Sequence, residues 1–139
     1  INTSSSKKYE SDLEERAFEI MQDLNIEKMS ESYARELSGG QKKLLELGRS
    51  LMKNPDLLLL DEPLAGVNPK LAEDLLEKIK NLSDQGITIL MVEHNIEAVM
   101  KISERVVVLA EGKVIAEGAP QTVRSNDKVI EAYLGTAHE

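Results

Sequence analysis

Apolar residues recur along this chain with a helical period in some stretches and as unbroken runs in others. In the helical stretches they lie three or four positions apart, as do Leu44, Leu47 and Leu51. The unbroken runs are Leu57–Leu60 and Ile87–Val92, and such runs are typical of parallel strands that helices cover on both faces. The pattern therefore predicts an α/β fold with a mainly parallel sheet flanked by helices.

Capping and turn residues predict the remaining elements. Before the first strand we expect a polar lead over Ile1–Glu10, a helix capped by Ser11 and Glu14 that ends near Leu24, and a helix from Ser38 to Asn54-Pro55. Between and after the two predicted strands we expect a helix from Asn68-Pro69 to about Leu82 and a helix from His94 or Asn95 to about Ile102. The chain should then form a final hairpin of strands Arg105–Ala110 and Lys113–Ala116, followed by helices at Pro120–Arg124 and Asn126–Leu134. Gly48 is unfavourable inside a helix, and close packing against the strand Leu57–Leu60 would explain it.

Two acids, Asp61 and Glu62, directly follow the first predicted strand. Ligands of parallel sheets bind outside the carboxyl ends of the strands. Two adjacent acids at that place can have different roles: one carboxylate can hold a hydrated Mg²⁺, and the other can orient and deprotonate a water molecule. The alternative is that both acids only begin a polar loop.

A Ser-Gly-Gly turn, Ser38-Gly39-Gly40, opens the helix that precedes this strand. Ser38 is a good N-cap, and the two glycines allow another molecule to approach the backbone closely. The free N–H groups of a first helical turn suit an anion. The alternative is an ordinary serine cap beside a flexible pair of glycines.

The sequence LSGGQ, one helix, and then LLLLDEP resemble the ATP-binding cassette (ABC) ATPase family. LSGGQ is similar to the signature motif of that family, and LLLLDEP is similar to its Walker B strand with the catalytic glutamate. The resemblance runs from about Leu13 to the C-terminus. It implies the C-terminal part of a P-loop ATPase fold, with nucleotide contacts from the signature residues Ser38, Gly39, Gly40 and Gln41, an action of Asp61 on Mg²⁺ through water, and Glu62 as general base.

Two further residues match positions of this family. His94 matches the switch histidine that contacts the γ-phosphate of ATP. A histidine at a strand end is commonly structural, but His94 follows Asp61-Glu62 by the length of one βαβ unit, which favours function. Asn68 stands in the D-loop, where the family usually carries Asp, and this loop contacts the partner subunit. A capping role for Asn68 is an equally good interpretation.

The family also requires a P-loop, G-x-x-x-x-G-K-[ST], and this sequence has none. We therefore expect the P-loop, the base-stacking aromatic residue and the Q-loop upstream of Ile1, and we expect this chain alone not to hydrolyse ATP. The predicted division is a remainder of the helical subdomain over residues 1–36 and the C-terminal half of the ATPase core over residues 37–139. That subdomain docks on a membrane-spanning partner in the family, although its helix would also fit as a plain core helix.

Composition narrows the class of function. The net charge of −8 disfavours a nucleic-acid surface, no apolar run reaches the length of a membrane span, and cysteine is absent. The resemblance implies ATP and Mg²⁺ as cofactors, a second ATPase subunit and membrane-spanning subunits as partners, and a place at the cytoplasmic face of the membrane. The segments at Ala65–Pro69, Val92–Met100, Val114–Arg124 and Val129–Gly135 are similar to uptake cassettes for branched-chain amino acids. The alternatives are a cassette of a non-transport ABC ATPase and an ATP-independent dimerisation module.

Overall fold

The computed structural model describes the backbone of residues 4–134, with side chains from Ser5 to Tyr133. Helices and strands alternate over residues 39–110, two short 3₁₀ turns precede this stretch, and a π-helical turn ends the described chain. The elements are α1 (Ser4–Asp23), 3₁₀ turns at Glu27–Met29 and Ala34–Glu36, α2 (Gly39–Leu51), β1 (Leu57–Asp61), α3 (Pro69–Asp84), β2 (Thr88–Val92), α4 (Ile96–Ile102), β3 (Val106–Ala110), β4 (Lys113–Gly118), α5 (Pro120–Arg124), α6 (Asp127–Val129) and a π-helical turn at Ile130–Leu134.

The described chain forms two compact units, one that ends at Val92 and one that begins at Glu93. In the first unit, β1 and β2 pair in parallel, from Leu57 opposite Thr88 to Asp61 opposite Val92. The buried apolar residues of this unit lie mainly in α2, β1 and α3: Leu44, Leu47, Leu51, Leu58, Leu75, Leu76 and Ile79.

The prediction that both strands are buried on both faces is wrong for this chain. Leu58 is 5% exposed, but Leu57 and Leu59 are 53% and 66% exposed, and Leu90 on β2 is 61% exposed. Successive side chains of a strand point to opposite faces, so one face of the pair is covered and the other is open. An all-leucine run shows that a strand is apolar, but it does not show whether other elements cover one face of the strand or both.

Helix α1 begins earlier than its sequence signals predicted. Ser4–Glu10 is helical rather than a polar lead, and Ser11 lies inside the helix instead of capping it. The predicted lead over Ile1–Thr3 lies outside the described residues. Ser11 and Glu14 are spaced as a capping box, but the polar residues before them also tolerate helical geometry, so the spacing alone does not stop the helix from extending.

Gly48 packs against α1 and not, as expected, against the Walker B strand. A Cβ atom at Gly48 would lie 3.1 Å from Leu24 Cδ1 and 3.4 Å from Ile20 Cγ2. The absence of a side chain at this position therefore lets the end of α1 approach α2 closely. Arg16 supports the same contact from α1, since its guanidinium donates a 3.0 Å hydrogen bond to the carbonyl of Leu51.

The second unit is an antiparallel hairpin of β3 and β4 with short helices packed on one face. Its core consists of Val106, Ala116, Val123 and Val129. The strand ladder is irregular between Val108 and Leu109. Three features differ from the expected ones: β3 begins at Val106 and not at Arg105, β4 continues to Gly118, and the last predicted helix is a short α6 followed by the π-helical turn.

The described helices, parallel strand pair and final hairpin confirm the predicted α/β class. Its described strands form one parallel pair and one hairpin. None of the helices between residues 4 and 134 combines the length and the apolar character that crossing a membrane requires.

The open face and edges of the β1–β2 pair predict self-association of the isolated chain. Within the described residues each of these strands is paired on one side only, and unpaired apolar edges invite pairing with another chain. We expect a dimer or larger species by light scattering at micromolar concentration. Replacing Leu59 and Leu90 together by Ser should reduce the mass, whereas Tyr33→Ser, an exposed aromatic outside the strands, should not. A monomeric parent chain with a cooperative melt would contradict this prediction.

Candidate functional site

The Ser-Gly-Gly turn forms a reciprocal cap at the start of α2. The Ser38 N–H donates to Gln41 Oε1 at 2.9 Å, and the Gln41 N–H donates to Ser38 Oγ at 3.3 Å. Ser38 was predicted as the N-cap, and this is confirmed. The role of Gln41 in the cap was missed, although a glutamine three residues after a capping serine is a recognised signal. The cap leaves the backbone N–H groups of the first turn at the open end of the helix.

The two glycines of this turn have different surroundings. A Cβ atom added to Gly39 would meet no atom within 4 Å, and Gly39 is exposed. A Cβ atom at Gly40 would lie 1.8 Å from Leu71 Cδ2, on helix α3. Gly39 therefore leaves the turn open to an approaching molecule, whereas a side chain at position 40 would overlap the end of the Leu71 side chain.

Asp61 and Glu62 emerge together at the carboxyl end of β1. Asp61 is the last paired residue of the strand and is exposed. The Glu62 N–H continues the ladder by donating to the Val92 carbonyl at 2.9 Å, and its backbone has φ +46°. The end of β2 therefore fixes the position of Glu62, and the chain turns sharply there before Pro63.

A groove of about 210 Å³ lies beside Asp61. Residues of α2 and α3 line it together with the end of β1: Lys43, Glu46, Leu47, Ser50, Leu59, Leu60, Asp61, Pro63, Leu75 and Ile79. Lys43, which the sequence analysis did not single out, lines the same groove as Asp61. Nothing in the sequence around Lys43 predicts that it lies near Asp61.

Asn68 caps α3, as predicted. Its Oδ1 accepts a 3.0 Å hydrogen bond from the Leu71 N–H, and Pro69 is the first residue of the helix. Asn68 itself is exposed. The capping interpretation is thus confirmed, and it leaves the Asn68 side-chain amide N–H₂ for another contact.

His94 belongs to the second unit and follows β2 by two residues. It is exposed, and its backbone N–H donates to Glu93 Oε2 at 3.1 Å. The next residue, Asn95, caps α4 by accepting from the Ala98 N–H at 3.0 Å. His94 is thus held in a tight connection between a strand end and a helix cap.

The donor set around Asp61 fits a hydrated Mg²⁺. No group of three or more His, Asp or Glu side chains from residue 5 to residue 133 is arranged to hold a metal ion. Magnesium keeps several water ligands and commonly uses one or two carboxylates together with substrate phosphates. A single exposed carboxylate at a strand end therefore suits a water-mediated contact.

Two family models match the sequence. One, described as "ABC transporter", matches residues 2–65, and the other, described as "Branched-chain amino acid ATP-binding cassette transporter", matches residues 113–139. The first match contains the signature turn and Asp61-Glu62. The second covers the region that starts at β4.

Known proteins resemble almost the whole chain. A probable branched-chain amino acid transport ATP-binding protein, LivG of Archaeoglobus fulgidus, is 44% identical over 92% of this chain and 50% of its own length. The lipopolysaccharide export system ATP-binding protein LptB of Escherichia coli is 37% identical over 88% of this chain and 51% of its own length. The crystal structure of the ADP conformation of an ATP-binding cassette of an ABC transporter aligns with a TM-score of 0.80 and 41% identity, over 89% of this chain and 50% of that one. The chain therefore spans about half the length of the relatives it matches.

The Asn68 cap should be measurable as stability. Asn68→Ala removes the acceptor of the Leu71 N–H and should lower the free energy of unfolding by about 0.5–2 kcal/mol. Asn68→Asp keeps an acceptor and places a negative charge at a helix start, so it should retain or slightly raise stability. Urea unfolding of the three proteins checks this. Equal destabilisation by both substitutions would show that the cap is not what Asn68 contributes.

Proposed function

Because this chain belongs to the ABC transporter family of ATPases, we propose that it is part of a transporter subunit that binds and hydrolyses ATP. We propose further that the complete subunit couples hydrolysis to the import of branched-chain amino acids. The observation that carries the proposal is the β1–β2 register, which places Asp61 and the following Glu62 at the carboxyl end of a parallel pair. Residues 1–36 would continue a helical subdomain, and residues 37–139 would form the C-terminal half of the ATPase core.

In this proposal the signature turn binds the phosphates of an ATP molecule that a second ATPase subunit holds. The exposed Gly39 gives the nucleotide access to the N–H groups at the start of α2, where the helix dipole favours an anion. Ser38 accepts one hydrogen bond inside the cap, which leaves its O–H group to donate to a phosphate oxygen. Gln41 uses its Oε1 in the cap, and its side-chain N–H₂ group stays available as a donor.

Glu62 is the proposed general base, and Asp61 is proposed to act on Mg²⁺ through water. Mg²⁺, when bound, neutralises charge on the phosphates and orients them. Glu62 would hold and deprotonate the attacking water. The hydrogen bond from its backbone N–H to the Val92 carbonyl fixes its position directly after the end of β1, which supports this role. His94 is proposed to contact the γ-phosphate, and Asn68 to contact the partner subunit through its amide.

Two observations support branched-chain amino acids as the cargo. The family model named for their transport matches residues 113–139, and the 44% identical relative is named for the same transport. The 37% identity to LptB favours a second candidate, an ATPase of lipopolysaccharide export. Both candidates are transporter ATPases, so the signature and Walker B roles are common to them.

The proposed partners are a second ATPase subunit and membrane-spanning subunits, and the proposed location is the cytoplasmic face of the membrane. Sequence similarity to transport ATP-binding proteins supports this assembly. In this proposal the membrane-spanning subunits make the contact with the membrane.

Glu62→Gln tests the proposed chemistry in the intact subunit. The amide keeps the shape of the side chain but cannot accept the proton of water, so ATP turnover should fall about 10²-fold or more. ATP-bound dimers should then persist in size-exclusion chromatography. The matched control is Glu73→Gln, an exposed glutamate on α3, which should hydrolyse ATP at the parental rate. Parental turnover in Glu62→Gln would show that Glu62 is not the base.

Uptake of labelled leucine tests the cargo. A strain that lacks the intact subunit should lose most leucine uptake, and the parental gene should restore it, whereas the Glu62→Gln gene should not. If leucine uptake is unchanged in that strain and lipopolysaccharide fails to reach the cell surface, the export candidate replaces the import candidate. Loss of neither process would refute both cargo assignments.

A further inference from the structure

The signature turn and the loop that contains Asn68 meet at one side-chain contact. Gly40 is buried, and a Cβ atom there would lie 1.8 Å from Leu71 Cδ2, 3.1 Å from Leu71 Cγ and 4.0 Å from Val67 Cγ1. Leu71 is the third residue of α3, and Gly40 is the second residue of α2. The first turns of two helices are therefore packed directly against each other.

Leu71 is held on its other side by Asn68. The Leu71 N–H donates to Asn68 Oδ1 at 3.0 Å, and the Asn68 carbonyl accepts from the Ala72 N–H at 2.9 Å. Gly40 lies between Ser38 and Gln41, which are joined by two reciprocal hydrogen bonds. Each loop is thus fixed to the start of its own helix, and Leu71 is the group that links the two.

We propose that Leu71 is a positioning residue that sets the signature turn relative to the Asn68 loop. Its side chain fills the space that a glycine leaves at position 40, and its backbone is tied to Asn68. Displacement of either loop therefore moves the other. This inference rests on the proposed function for its consequence in catalysis, because both loops would face ATP and the partner subunit.

The proposal predicts a pattern among substitutions that direct contact with the nucleotide does not. If Gly40 is small only because ATP approaches it, an added methyl group harms activity whatever residue stands at position 71. If Gly40 is small because Leu71 occupies the space, the harm disappears when Leu71 is shortened. After Leu71→Ala, the nearest remaining neighbour of the new methyl group is Val67 Cγ1 at 4.0 Å, an ordinary contact distance.

The experiment is a double-mutant cycle of ATP turnover in the intact subunit. Gly40→Ala should lower kcat by about 100-fold, since misplacing a contacting group by about 1 Å has effects of this size. Leu71→Ala alone should lower kcat by up to about 10-fold, because the link between the two turns is lost, and the double variant Gly40→Ala with Leu71→Ala should recover kcat to that same level. A double variant no more active than Gly40→Ala would overturn the proposal.

Gly39 provides the matched control for this rescue. Its Cβ position is open, so any loss of turnover in Gly39→Ala comes from the ligand side. Leu71→Ala should therefore not restore activity to Gly39→Ala. Rescue of both glycine variants by Leu71→Ala would mean that it loosens the whole turn, and this outcome also contradicts the proposal.

A second measurement separates failure of this inference from failure of the proposed function. Asn68→Ala releases the Leu71 N–H and should shift the amide NMR resonances of Gly39 and Gly40, whether or not the protein hydrolyses ATP. Asn126→Ala removes a cap of the same chemistry from α6 and should leave those two resonances in place. Unmoved glycine resonances in Asn68→Ala would refute the coupling. An inactive parent protein with the expected shifts would refute only the proposed function.

Discussion

The hydrogen-bonded ladder between β1 and β2 is the constraint on which the candidate site depends. It pairs five residues of each strand and continues through the Glu62 N–H to the Val92 carbonyl. Burial of Leu58 fixes this register, because a slip of one residue would turn Leu58 outward and reverse the faces of the whole strand. The position of two carboxylates is thus decided by where one leucine side chain is buried.

The sequence predicted best those features that short-range interactions decide. Ser38, Asn68 and Asn95 each cap the helix that was expected to follow them. A side-chain oxygen and an N–H group two or three residues later are enough to form such a cap, so local sequence contains the whole interaction. The two acids after β1 were placed correctly for a similar reason, since a strand end follows from the composition of the strand itself.

Features that need a distant partner could not be predicted. In the sequence, Gly40 and Gly48 are only glycines of the helix that follows Ser38. In the structure, a Cβ atom at Gly40 would collide with Leu71 on α3, and a Cβ atom at Gly48 would lie close to Leu24 after the end of α1. The open face of Leu57 and Leu59 likewise depends on what packs over the strand, which an apolar run does not encode. Helix α1 began too late in the prediction because a capping pattern at Ser11 competes with ordinary helix propensity, and the helical conformation prevailed although the side chains before Ser11 are almost all exposed.

The backbone conformation of Glu62 is costly for a residue other than glycine. With φ +46°, Glu62 occupies the left-handed region, which glycine adopts without strain. For a residue with a side chain, this conformation costs on the order of 1–3 kcal/mol of folding free energy. A glycine there would make the turn before Pro63 easier to form, but it would remove the carboxylate. Under the proposed role of Glu62 as general base, stability and activity favour different residues at position 62. A thermostable redesign that scored only folding would favour glycine at this position, and it would remove the carboxylate that the proposed mechanism uses.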